Sequence, residues 1–122
     1  MSKKYETHNN IDKPLLDSIK PGDLIKCNGR KMPLRVIAVT ENFFVMARPC
    51  FREVLYSVCE KRPYPNGRFY ISTDNMVFSS EHGNDWKTEE QAKEYLMEFE
   101  KGEYELSRRR QAPLREICIK RA

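Results

Sequence analysis

Four strand-like segments follow one another between Lys20 and Glu60, and their closeness constrains the fold more than any other feature. Leu24 to Cys27, Pro33 to Thr40, Phe43 to Arg48 and Val54 to Glu60 are rich in the Val, Ile, Phe and Tyr side chains that suit a pleated surface. The turns between them are very short, so the strands run antiparallel, and a Lys20-Pro21-Gly22-Asp23 turn leads into the first. The pattern predicts an α+β fold, a small, strongly twisted antiparallel sheet or SH3-like barrel of about five to six strands. One C-terminal amphipathic helix and a short N-terminal helical turn are expected to cover it.

Turn chemistry sharpens this. Asn28-Gly29 can take positive φ at both positions, and Glu41-Asn42 joins two apolar strands with Asn42 able to turn left-handed. In Phe43-Phe44-Val45-Met46-Ala47-Arg48 both faces are apolar, which predicts a central strand covered on both sides. In the next strand Val54, Tyr56 and Val58 point one way, and Leu55, Ser57 and Cys59 the other. Further strands are expected at Phe69 to Thr73, Met76 to Phe78, Tyr104 to Ser107 and, at an edge, Ile117 to Ile119.

Two helices are legible. Asp12 is placed to cap a turn over residues 12–19, where Pro14 costs nothing because its missing N–H has no helical partner. Thr88 and Gln91 form a capping box, and Ala92, Tyr95, Leu96 and Phe99 repeat at helical spacing until Gly102.

At 122 residues the chain suits one domain, read as a flexible start over residues 1–11 and a single α+β domain over 12–122. No apolar run is long enough to span a membrane and Met1-Ser2-Lys3-Lys4 opens no secretion signal, so a cytoplasmic location is expected. Cys27, Cys50, Cys59 and Cys118 contain no C-x-x-C pair. They read as buried apolar thiols, with Cys50, Cys59 and His82 as the minority combination for a metal.

Catalytic patterns are missing from the sequence: no glycine loop cradles phosphate, and no Ser or Cys sits in a nucleophile turn with His82 as base. The chain is therefore read as a non-enzyme without a cofactor. Its net charge of +4 is unevenly spread. Arg52, Arg62, Tyr64 and Arg68 crowd two strands and their loops, and Arg108, Arg109 and Arg110 form a second basic cluster. Guanidinium groups grip phosphates and aromatic rings stack on bases, so these residues suit nucleic acid, and Arg and Tyr equally anchor protein interfaces. Glu90, Glu94 and Glu98 form the competing acidic face on the second helix, suited to a basic partner.

Val54-Leu55-Tyr56-Ser57-Val58, Thr73-Asp74-Asn75-Met76-Val77-Phe78, the Glu-rich helix and Gly102-Glu103-Tyr104-Glu105-Leu106-Ser107-Arg108-Arg109 occur in that order. The order, with its opening Lys-Pro-Gly-Asp turn, resembles a group of small bacterial and phage proteins of unassigned activity. Here Ser79-Ser80-Glu81-His82-Gly83 stands where that group has glycines, and the resemblance transfers no site residue. It implies a phage or mobile-element setting. That setting favours a small binding protein that modulates or inhibits a host nucleic-acid enzyme, such as a CRISPR effector nuclease, by protein contact. A direct RNA- or DNA-binding regulator is the alternative.

Overall fold

A computed structural model describes residues 4–50, 53–72, 89–102 and 111–122. The strands are β1 (Glu6–His8), β2 (Leu24–Cys27), β3 (Leu34–Val39), β4 (Phe43–Cys50), β5 (Glu53–Glu60), β6 (Tyr70–Ser72), β7 (Gln111–Pro113) and β8 (Ile117–Lys120). The helices are α1 (Lys13–Asp17) and α2 (Glu89–Glu100). All eight strands join one antiparallel sheet in the order β1-β8-β2-β3-β4-β5-β6-β7.

Strand order and connection length force the sheet to curl. β8 and β7 lie six strands apart in that order, which in a flat sheet is about 29 Å at about 4.8 Å per strand. Yet Leu114–Glu116 alone connect them, and so short a link reaches about 14 Å. The result is a half-barrel with an inner and an outer face. Asn28 fastens the short link: its Nδ2 donates to Pro113 O at 3.0 Å, and its Oδ1 accepts from Arg115 N at 2.8 Å and Glu116 N at 3.2 Å. Asn28 and Gly29 do take positive φ, 52° and 75°.

The inner core gathers Ile25, Val36, Phe44, Met46, Cys59, Ile71, Ile117 and Ile119, with Leu16 and Ile19 of the α1 region plugging the concavity. Asp12 caps α1 by accepting from Leu15 N at 2.9 Å. On the outer face Ala92, Leu96 and Phe99 of α2 pack on Phe43, Val45, Tyr56 and Val58. A bulge in β3 serves both layers. Between Val36, opposite Met46, and Ala38, opposite Val45, Ile37 is an extra residue. It shifts the alternation so that Leu34 and Val36 face inward, Ile37 and Ala38 meet the helix layer, and Val39 turns back inward.

Several expectations change. The sheet has eight strands rather than five to six, and it is a half-barrel rather than an SH3-like barrel. β7, Gln-Ala-Pro, is too short to show an alternation. β1, Glu-Thr-His, pairs with β8 within the stretch that composition assigned to a flexible start. The helix does not cover the sheet: α2 lies over β3–β5 alone, and the chain then supplies β7 and β8. β8 is internal, paired to β1 and β2 on its two sides, rather than an edge. Asn42 is not left-handed; its side chain and backbone bond to Glu100 instead. The strands expected at Met76 to Phe78 and Tyr104 to Ser107, and the Thr88 cap, lie outside the described residues.

Candidate interaction surfaces

The β5–β6 connection carries three of the sequence-predicted residues. Arg62 and Arg68 are exposed, and Tyr64 is half-buried. Arg62 is largely committed to its own fold: it pairs with Glu60 at 3.0 Å and lies 5.6 Å from the Phe43 ring centroid. The loop is built around its aromatics. The rings of Tyr64 and Tyr70 sit 4.5 Å apart, Tyr64 Oη donates to Gln111 Oε1 at 3.0 Å, and Asn66 Nδ2 donates to Tyr70 Oη at 2.8 Å. Tyr64 is thus a strut between β6 and β7 more than a free stacking platform. Lys61, next to Arg62 in the chain, turns inward. It is 3% exposed, donates to Thr40 O at 2.8 Å and lies 3.7 Å from Asp17, and burial lowers its pKa.

The predicted acidic face divides. Glu90 and Glu94 are exposed, with Glu90 3.9 Å from Lys93. Glu98 is half-buried, and its buried Oε2 has no hydrogen-bond partner among the described residues. Met97, 53% exposed, lies on the same outward side.

Register separates the metal candidates. Cys59 is opposite Phe44 while Cys50 is opposite Glu53, so six strand positions, about 20 Å, part the two cysteines. They cannot share an ion. Among the described residues no group of three His, Cys, Asp or Glu is placed to hold a metal. Burial pushes the Cys27 thiol up to about 12 and the Cys59 thiol well above its usual range, which keeps both protonated and inert. A cavity of about 140 Å³ lined by Cys27, Leu34, Ser57, Ile71 and Ala112 opens on the inner face, well short of an ordinary ligand pocket. Arg52, Arg108, Arg109, Arg110 and His82 lie outside the described residues.

Sequence reasoning missed one surface. Beyond the reach of α2, the outer face of β1, β8 and β2 carries Tyr5, Thr7, Cys118, Lys120, Leu24 and Lys26, fixed by the pairings Thr7↔Cys118, Lys26↔Cys118 and Leu24↔Lys120. Lys26 Nζ stands 4.1 Å and Lys120 Nζ 5.9 Å from the Tyr5 ring centroid. Thr7 Oγ1 and Cys118 Sγ are 3.4 Å apart on the same face. No local signal joins residues so far apart in sequence.

Comparison with protein-family models, curated proteins and solved structures finds no match to this chain. No helix among the described residues is long and apolar enough to cross a membrane.

Proposed function

We propose that the chain is a small non-enzymatic binding protein, encoded by a phage or mobile element and acting in the cytoplasm of a bacterial host. It modulates or inhibits a host nucleic-acid enzyme, for example a CRISPR effector nuclease, through protein contact. The resemblance to small phage proteins supports the setting. The outward side of α2 carries the reading: Met97 is 53% exposed on the helix that also presents Glu90 and Glu94 to solvent. An adaptable apolar side chain with carboxylates nearby offers contact area, and negative charge suited to a basic nucleic-acid channel. The test is capture of partners from nuclease-digested host lysate, followed by assay of the captured enzyme's nucleic-acid cleavage. A partner that survives digestion, is inhibited by the wild-type protein and is released by Glu90→Lys/Glu94→Lys/Met97→Ala supports the reading. A partner lost on digestion, or bound equally by the variant, overturns it.

A second reading, direct binding of RNA or DNA, is favoured by a different observation: the Tyr5 ring is flanked by the ammonium groups of Lys26 and Lys120.

A further inference from the structure

We propose that the outer face of β1, β8 and β2 binds single-stranded nucleic acid, with Tyr5 stacking on a base and Lys26 and Lys120 holding phosphates beside it. The proposal rests on the second reading above. Its basis is charge without a partner. Among the described residues neither lysine pairs with a carboxylate; the group each approaches is the face of Tyr5, at 4.1 Å and 5.9 Å. Among the described residues two carboxylates next to these strands make contacts of their own. Glu6 is bound to Arg121 and His8, and Glu116 Oε1 lies 3.8 Å from Cys118 Sγ. A ring attracts a cation much more weakly than a phosphate does, so both ammonium groups remain available to an anion.

The shape selects among nucleic acids. Antiparallel pairing sets Tyr5, Lys120 and Lys26 across three adjacent strands, spanning about 10 Å of sheet. An aromatic ring stacks on a base that is not already stacked, which favours a single strand over a duplex. α2 protects β3–β5 and leaves this part of the sheet outside its cover. Among the described residues this face is left uncovered because the helix docks on β3–β5.

The test is fluorescence anisotropy of a labelled, unstructured oligouridylate added to the full chain at low salt, with each variant's fold checked by circular dichroism. The wild type is expected to bind. Each phosphate contact on a single strand contributes about 0.7 to the salt slope, so Lys26→Ala/Lys120→Ala is expected to reduce it by about 1.4. Tyr5→Ala is expected to weaken binding about tenfold while Tyr5→Phe binds like wild type. Backbone amide shifts in the wild type, expected at Lys26, Cys118 and Lys120, locate the site without any substitution. If the wild type binds no oligonucleotide, the nucleic-acid reading fails and the site with it. If it binds but the loss follows Arg62→Ala/Arg68→Ala, the reading stands and this site is wrong. If polyglutamate displaces the oligonucleotide equally well and Tyr5→Ala changes nothing, the face serves an acidic protein and the proposal is overturned.

Discussion

Asn42, in the β3–β4 turn, donates its backbone N–H to Glu100 Oε1 at 2.6 Å and its side-chain amide to Glu100 Oε2 at 2.9 Å. Thr40 Oγ1 adds a third bond, also to Oε1, at 2.6 Å. The last residue of α2 is thereby locked to the tight turn beneath it, which fixes the helix end over β3 and β4.

Removing that lock should loosen α2 without dissolving the half-barrel. Glu100→Ala is expected to cost about 2 kcal/mol, the usual range for hydrogen bonds to a charged group, measured by urea unfolding. Hydrogen exchange should rise mainly in α2. Uniform loss of protection across β2 and β8 would show that the lock does not act locally.

The same carboxyl makes stability depend on acid. Burial pushes the Glu100 pKa up, but the bonds from Thr40 and Asn42 together outweigh it and hold the group below its ordinary 4.5. The unfolded chain therefore binds more protons in that window, so this contribution is complete above 4.5 and disappears as pH falls through the folded value. Glu6 is shifted the same way by hydrogen bonds from Arg121 and His8. The melting temperature should fall on acidification, and more gently in Glu100→Gln. Parallel curves for the two proteins would refute the assignment.

Asn28 should prove costly to replace despite lying in a turn. Asn28→Ala deletes three side-chain bonds to the β7–β8 link and leaves Arg115 N and Glu116 N without that acceptor, for an expected loss of about 2–3 kcal/mol. Asn28→Gly tolerates the positive φ but loses the same bonds, so it should be nearly as unstable. Full stability in Asn28→Gly would mean that backbone conformation alone matters there.

Adjacent helix positions should behave oppositely. Leu96 is completely buried in the outer layer, and Leu96→Ala is expected to cost about 2–4 kcal/mol. Met97→Ala, at an exposed position, should change stability by about 0.5 kcal/mol or less. Thermal or urea unfolding of the pair checks the facing of α2.

The thiols should differ in reactivity. Cys27 and Cys59 are buried with raised pKa values, whereas Cys118 is half-buried beside Thr7. Iodoacetamide followed by peptide mass spectrometry is expected to modify Cys118 well before Cys27 or Cys59, which should react on unfolding. Early modification of Cys59 would contradict its place in the inner core.

What the sequence alone determined is local. Two-sided apolar strands such as Phe43-Phe44-Val45-Met46 declare a layer on each side, Asp12 declares a helix start, and Asn28-Gly29 declares a turn, because neighbouring residues settle each of these. The cation-aromatic loop around Tyr64 was visible as composition, but its rings proved to brace β6 and β7. Tertiary structure alone decided the rest. β1 and β7 are only three residues long, and they become strands because β8 and β6 offer them free edges. The bulge at Ile37, the internal place of β8 and the meeting of Tyr5 with Lys26 and Lys120 all depend on pairings between segments remote in sequence. Such pairings are chosen by burial summed over the whole sheet, and no local window records that sum.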